Sequence, residues 1–189
     1  MTKDFIALFA MCMAMCGLAV TPANTTTEEW QTFLNANGYY LFTFQLKDTT
    51  DKTTYVQPVV IRGSYGKVDE IANITPYPLP SKQNISIGIK MAPYDSVYNL
   101  TVFSRGAFSF SSPKRDLKPV MHDNELKYSY VVREVENTSD KIQEDVIPLV
   151  FLASFFIDEN GILRCCGDDK EIRELSPDYM IFGIKIFKQ

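Results

Sequence analysis

Side chains able to carry out catalysis are few in this sequence and follow no known spacing. Its single histidine, His122, excludes most zinc sites and any catalytic site that needs two imidazoles. The segment Gly63-Ser64-Tyr65-Gly66 has the outline of a nucleophile turn, but its hydroxyl lies at the wrong position and lacks a histidine partner. Glycine-rich phosphate loops, HExxH motifs and calcium-loop spacings do not occur in the sequence. We therefore predict a protein that is not an enzyme and that needs no cofactor or metal.

Charged residues indicate solvated surfaces more than binding sites. The adjacent acids Asp69-Glu70 are typical of exposed polar segments. Lys114, Arg115 and Lys118 form a basic cluster, for which a solvated loop is one interpretation and an anionic partner such as a glycosaminoglycan is the other. With 19 basic and 23 acidic residues the net charge is −4, so we expect no nucleic-acid partner.

The N-terminus has the pattern of a secretory signal. Residues 5–20 form an uninterrupted apolar run that fits a signal-peptide core and is short for a membrane span, which needs about 20 residues. Gly17 and Ala19 supply the small residues required before a cut after position 19. We predict that residues 1–19 are a signal peptide and that residues 20–189 form a single extracellular domain with no membrane span. An uncleaved signal anchor is the alternative.

Five N-x-S/T sequons, none with proline at the middle position, agree with secretion. They lie at Asn24, Asn73, Asn84, Asn99 and Asn137. Asn84 and Asn99 fall on the polar phase of alternating segments, where a bulky glycan can be accommodated. The sequence therefore predicts a glycoprotein.

The cysteines cannot form a disulfide framework. Cys12 and Cys16 are removed with the predicted signal peptide, which leaves the adjacent pair Cys165-Cys166. Neighbouring cysteines cannot join distant parts of a fold; they stay buried and reduced, close a vicinal ring or bridge to another chain. We expect the hydrophobic core, and not disulfides, to hold this domain together.

Periodicity predicts a protein built of antiparallel strands. Apolar and polar residues alternate at period two over several segments that turn residues separate. We expect strands over residues 39–47, 54–62, 84–91, 97–104, 126–136 and 179–187, and short helices over 25–35 and 168–175. Pro58 predicts an edge or a bulge in the second strand. Residues 146–157 are apolar at every phase, a pattern that fits either a buried helix or a central strand. Their valine, isoleucine and phenylalanine content and the turn residues 158–161 favour a central strand entering a hairpin.

Seven large side chains occupy the same inward phase of these strands. They are Tyr40, Phe42, Phe44, Ile87, Ile89, Leu100 and Val102. Such a face either packs into a closed core or lines the cavity of a barrel, where a small ligand binds among apolar side chains. We predict that the seven residues line a ligand cavity, with ordinary core packing as the alternative.

The opening of the domain resembles a known family. The segment Trp30-Gln-Thr-Phe-Leu-Asn35, followed by Tyr39-Tyr-Leu-Phe42 and Asp48, is similar to the start of the salivary lipocalins of blood-feeding arthropods, ticks especially. In that family the tryptophan helix closes the base of a β-barrel, and the next segment is the first strand. The similarity covers about 20 residues at the start of the domain, and it transfers no amine-binding residue to this chain.

The resemblance implies an all-β fold: an antiparallel up-and-down barrel with a short N-terminal helix and a short helix before the last strand. A β-sandwich is the alternative. The predicted function is that of a secreted, salivary-type glycoprotein that binds or sequesters a small hydrophobic or amine ligand in a barrel cavity. The alternative is a β-sandwich that acts through its surface on an extracellular protein partner, as an adhesion, receptor-binding or pore-forming module.

Overall fold

The structure, a computed structural model, describes most of the chain beyond its N-terminal segment. The described residues are 27–45, 54–79, 84–91, 96–105, 107–122, 125–127, 129–136, 145–165 and 167–188. The chain divides into two compact units, Met1–Trp30 and Gln31–Gln189, and the sheets and sites below belong to the second. The predicted signal peptide, residues 1–19, lies outside the described residues.

Strands and two helices follow one another along the chain. First come α1 (Thr27–Ala36), β1 (Tyr39–Gln45), β2 (Thr54–Ser64), β3 (Lys67–Asn73), β4 (Tyr77–Leu79), β5 (Asn84–Lys90), β6 (Val97–Ser104), β7 (Phe108–Ser111) and β8 (Arg115–Asp116). They are followed by β9 (Val120–His122), β10 (Glu125–Lys127), β11 (Tyr130–Glu134), β12 (Ile147–Ser154), β13 (Phe156–Ile157), β14 (Leu163–Arg164), α2 (Asp169–Leu175) and β15 (Tyr179–Lys188). The predicted all-β class, with a helix before the first strand and another before the last, is confirmed.

The strands form two large antiparallel sheets. Sheet 1 has the order β1-β5-β6-β7, with β8 beside β6; sheet 2 has the order β11-β12-β15-β2-β3, with β4 beside β2. Two short hairpins, β9–β10 and β13–β14, pair separately. No sheet closes into a barrel within the described part of the chain, and successive strands such as β1 and β2 are not neighbours in it.

Sheet 2 is buried on both faces because two hydrophobic cores cover it. One face packs with Ile87 and the other inward side chains of sheet 1 in a common core. The opposite face forms an outer core in which Phe151 and Tyr179 pack with Ile172 of α2. Strand β12 lies between these cores, which explains why residues 146–157 are apolar at every phase and confirms the predicted strand and hairpin.

Helix α2 is fixed to sheet 2 by a cap, an ion pair and one buried side chain. The carboxylate of Asp168 accepts a hydrogen bond of 2.7 Å from the backbone N–H of Glu171, which satisfies a donor of the first helical turn. Asp169 accepts a hydrogen bond of 2.7 Å from Nη2 of Arg133 on β11. Ile172 is 1% exposed in the outer core. The charged helix predicted before the last strand therefore covers the outer face of the sheet.

Pro58 lies inside β2, which has neighbours on both sides. Its carbonyl accepts a hydrogen bond of 2.9 Å from the backbone N–H of Ile74, so the side of the proline that lacks a donor faces β3 and β4. The neighbouring strand is interrupted at this point, because β3 ends at Asn73 and β4 begins at Tyr77. The prediction of an edge or a bulge at the proline is therefore wrong: β2 is an inner strand, and the missing donor coincides with a break in the adjacent strand.

Residues 126–136, expected as one strand, belong to two. Strand β10 ends at Lys127 and pairs with β9, whereas β11 begins at Tyr130 and belongs to sheet 2. The hydroxyl of Tyr130 donates a hydrogen bond of 2.6 Å to the carbonyl of Lys118, just before β9. This bond joins the start of the β9–β10 hairpin to sheet 2. It lies at Tyr130, where the segment expected as one strand separates into β10 and β11.

Candidate functional site

The seven side chains predicted to share an interior face lie in the common core or against it. Those from β5 and β6 are at most 2% exposed, and those from β1 are half-buried. In chain order the set is Tyr40, Phe42, Phe44, Ile87, Ile89, Leu100 and Val102. Their role as the lining of a ligand cavity stays a prediction. Leu100 also lines the pocket described next.

A pocket lies between the two sheets, with β2 and β3 on one side and β6, β7 and β8 on the other. Its volume is about 100 Å³, which is enough for a small ligand. The wall on the side of sheet 2 consists of Val60, Arg62, Glu70, Ala72 and Ile74. The wall on the side of sheet 1 consists of Tyr98, Leu100, Phe110, Ser112, Pro113 and Arg115. Apolar side chains thus stand beside a few charged ones, as in most small-molecule sites.

Cross-strand pairing builds the wall from sheet 2. Arg62 and Glu70 are direct partners across β2 and β3, and so are Val60 and Ala72. Direct partners of an antiparallel pair project from the same face, with Cβ atoms about 5 Å apart. A register shift beside Arg62 leaves Asp69 as an extra residue in β3, a bulge of the kind that often re-aims side chains next to binding sites. The paired strands β2 and β3 therefore present a cation (Arg62), an anion (Glu70) and two apolar side chains (Val60 and Ala72) to the pocket.

Tyr98 and Arg115 are partners across β6 and β8 and belong to the opposite wall. Tyr98 is 6% exposed, its ring lies 6.0 Å from that of Phe182, and no hydrogen bond joins its hydroxyl to another described residue. The pKa of this phenol is raised, because burial disfavours the charged form more than the guanidinium groups of Arg62 and Arg115 favour it. The hydroxyl therefore keeps its proton and has a hydrogen bond to donate.

Asp178 holds Arg62 in place at the pocket wall. Asp178 is 0% exposed, and its carboxylate accepts hydrogen bonds from Nε and Nη2 of Arg62, both of 2.9 Å. The single proton of the Tyr130 hydroxyl is shared between this carboxylate, at 2.7 Å, and the carbonyl of Lys118, at 2.6 Å, and the backbone N–H of Lys118 donates to the carboxylate at 3.3 Å. A bidentate pair fixes the plane of the guanidinium group. Arg62 is therefore positioned and its charge is balanced before any ligand binds.

The backbone of Asp178 is fixed by two buried serines. Its N–H donates a hydrogen bond of 3.1 Å to Oγ of Ser154, and its carbonyl accepts one of 2.8 Å from Oγ of Ser176. Both serines are at most 1% exposed. Sequence reasoning missed this polar cluster. Its one local signal is Arg62, the single charged residue of β2, directly after the apolar run 59–61.

Glu70 and Arg115 carry the charges that the fold leaves available to a ligand. Both side chains are exposed, and no ion pair joins either of them to another residue of the described ranges. The charge of Arg62, in contrast, is compensated by Asp178. The pocket can therefore offer one cation and one anion, together with apolar surface, to a small molecule.

The predicted glycosylation sites differ in their surroundings. Asn73 and Asn84 are exposed, whereas Asn99 is half-buried and its Nδ2 donates a hydrogen bond to the carbonyl of Ser112. A glycan on that nitrogen would leave it one N–H, so keeping this bond would require the sugar to fit beside Ser112. The other two predicted sites, Asn24 and Asn137, lie outside the described residues.

Of the two adjacent cysteines, Cys165 is half-buried, and Cys166 lies outside the described residues. Neither helix in the described part of the chain is both long and apolar enough to cross a membrane. Within the same ranges, no group of three or more His, Cys, Asp or Glu side chains is arranged to hold a metal ion.

Comparison with known proteins gives no relative: no protein-family model, no curated protein and no solved structure matches this chain.

Proposed function

We propose that this protein binds a small amphipathic ligand in the pocket between sheet 1 and sheet 2, and that it carries or sequesters that ligand outside the cell. The observation that carries the proposal is the make-up of the pocket walls. Apolar side chains from both sheets stand beside one cation and one anion that lack ion-pair partners among the described residues. Sites of this composition fix the polar end of a ligand and bury its apolar end.

We further infer that the two sheets form a β-sandwich and not a closed barrel. In an up-and-down barrel each strand pairs with the next along the chain, but here β1 pairs with β5 and β2 pairs with β15. The rings of Tyr77 on β4 and Phe108 on β7 stack with centroids 4.6 Å apart, which joins the sheets along one edge. These contacts support a small intersheet site in place of a wide barrel cavity.

An amine fits this pocket through Glu70. Its carboxylate is the acidic group of the pocket walls, and it lines the same space as Val60 on its own wall and Leu100 and Phe110 on the opposite one. Burying apolar surface contributes about 25 cal/mol per Å², so the hydrocarbon part of a ligand supplies most of the affinity. The carboxylate then selects an ammonium group over a neutral one. A volume of about 100 Å³ suits a ligand of about six to nine heavy atoms.

Filling the pocket is expected to abolish binding. Ala72 is half-buried on the pocket wall, so the ring in Ala72→Phe would occupy the ligand space without opening the core. With 3-methylbutylamine as the probe, we expect saturable one-to-one binding to the wild type with a Kd of about 1 mM or below, and at least tenfold weaker binding to the variant. Isothermal titration calorimetry measures both.

Ile71→Phe provides the matched control, because Ile71 is next in the same strand, points away from Ala72 and is 39% exposed. We expect this control to bind the amine as the wild type does. Equal affinity for all three proteins would contradict the pocket assignment. The surface-acting module, which needs no internal ligand, would then be the better account.

The proposal that the protein is secreted and glycosylated has its own test. Asn84 is exposed at the start of β5, so we expect it to carry a glycan when the full chain is expressed in insect cells. Treating protein from the medium with a peptide-N-glycosidase is expected to lower its mass on denaturing gels, and Asn84→Gln is expected to remove one step of that shift. A protein that stays inside the cell, or whose mass does not change, would contradict this proposal.

A further inference from the structure

We infer that the ligand also carries an anionic group, a carboxylate, which Arg115 and the hydroxyl of Tyr98 bind. The ligand is then a small zwitterion with an apolar side chain, of the size of leucine. This inference rests on the proposed function, because it assigns a second polar contact in the same pocket.

Tyr98 is the first reason for an anionic group. Its side chain lies on the pocket wall and is 6% exposed, yet its hydroxyl has no hydrogen-bond partner in the described part of the chain. Among the described residues Arg133 Nε is the one buried side-chain polar atom without a partner, so the Tyr98 hydroxyl is not sealed off and its O–H is open to the pocket. A carboxylate oxygen in the pocket would supply the acceptor that the fold does not.

Arg115 is the second reason. It is the direct cross-strand partner of Tyr98, so both side chains project from the same face of sheet 1. A guanidinium group is a planar donor that matches a carboxylate, and here it is exposed and makes no ion pair within the described ranges. Arg62 is less suited to this role, because Asp178 already accepts from its Nε and Nη2. The carboxylate of the ligand is therefore expected to bind at the pocket wall formed by sheet 1.

Charge balance favours a zwitterion over a simple anion. Arg62 and Asp178 compensate each other, which leaves Arg115 on one wall and Glu70 on the other. A ligand with only a carboxylate leaves the negative charge of Glu70 without a partner. A ligand with only an ammonium group leaves the positive charge of Arg115 without one. A zwitterion satisfies both walls, with its ammonium group toward Glu70 and its carboxylate toward Arg115.

Three probes of matched shape test this inference on the full-length secreted protein. L-Leucine carries both charged groups, 3-methylbutylamine lacks the carboxylate, and 4-methylpentanoate lacks the ammonium group. We expect leucine to bind about tenfold more tightly than either analogue, since each charge-assisted contact contributes about that factor. Isothermal titration calorimetry at low ionic strength gives the three dissociation constants.

Two variants then assign the carboxylate contact. Arg115→Gln is expected to weaken leucine binding about tenfold, to the affinity of 3-methylbutylamine. Tyr98→Phe is expected to weaken it about threefold without lowering the melting temperature, because the hydroxyl bonds to no described residue. Lys114→Gln is the matched control: Lys114 is an exposed cation next to Arg115 that does not line the pocket, and its removal is expected to leave leucine binding unchanged.

The outcomes separate this inference from the proposed function. If leucine binds no more tightly than 3-methylbutylamine, while Ala72→Phe still blocks the amine, the pocket binds a ligand but the carboxylate contact is wrong. Equal losses for Arg115→Gln and Lys114→Gln would also overturn the inference, since they would indicate a general effect of charge. If the wild type binds none of the three probes, both the inference and the proposed pocket function are wrong.

Discussion

Replacing Asp178 with alanine is expected to lower the free energy of unfolding by about 3–5 kcal/mol. Asp178 is 0% exposed, and the substitution removes the bidentate partner of Arg62 and an acceptor for Tyr130 and for the N–H of Lys118. A charge left unpaired in a partly buried site is much more costly than the loss of an exposed pair. Urea denaturation followed by circular dichroism is expected to show a lower midpoint with an unchanged m-value.

Asp69→Ala is the matched control, because Asp69 and Asp178 both face the same lysine. Nζ of Lys118 lies 3.8 Å from Asp69 and 3.7 Å from Asp178, but the Asp69 side chain is 43% exposed. An exposed ion pair contributes at most about 1 kcal/mol, so we expect a loss no larger than that. Similar losses for the two variants would contradict the role assigned to the buried carboxylate.

Gly183→Ala is expected to destabilise the protein by about 3 kcal/mol, which corresponds to a fall in melting temperature of about 6–12 °C. Gly183 lies in β15, in the middle of sheet 2. A methyl group at this position would lie 2.6 Å from the carbonyl oxygen of Ile147 and 2.8 Å from Cγ1 of Val146. Relief requires β12 to move away from β15, which disturbs both cores. Differential scanning calorimetry measures the change.

Gly88→Ala is the control for this substitution, since Gly88 also lies within a strand, β5. The nearest atoms to an added methyl group there are 3.8 Å away, which is ordinary van der Waals contact. Alanine restricts the unfolded chain more than glycine does, so we expect Gly88→Ala to be as stable as the wild type or more stable by about 0.5 kcal/mol. Comparable losses at the two glycines would show that strand propensity, and not the close approach of β12, decides the outcome.

Alternation predicted the strands and their inward faces because it is a local property. Ile87 and Ile89 are buried where their phase indicated, and the apolar segment 146–157 contains a strand covered on both faces. The pairing of strands was not predictable in the same way. Many alternating strands could pair with Tyr39–Gln45, and only the folded chain brings β5 beside it and β15 beside β2.

The charged part of the pocket was not predicted, because its members are far apart in the sequence. Arg62 and Asp178 are separated by 116 residues, and Asp178 follows a proline in a segment that reads as an ordinary turn. In the sequence Arg115 is part of a basic cluster, which predicts either a solvated loop or a surface for an anionic polymer. Glu70 is part of a pair of adjacent acids, which predicts a solvent-exposed surface. The pairing of strands brings these side chains to the same pocket, and no local sequence pattern shows which strands pair.

The break between β3 and β4, opposite Pro58, is also expected to limit aggregation. A strand at the margin of a sheet presents backbone groups to which a strand of another molecule can add, and long, flat, apolar margins are the most prone to do so. Here one margin of sheet 2 consists of two short strands, contains a bulge at the extra residue Asp69, and carries the charges of Lys67 and Glu70. We therefore expect the bulge that shapes the pocket wall also to discourage edge-to-edge assembly at high protein concentration.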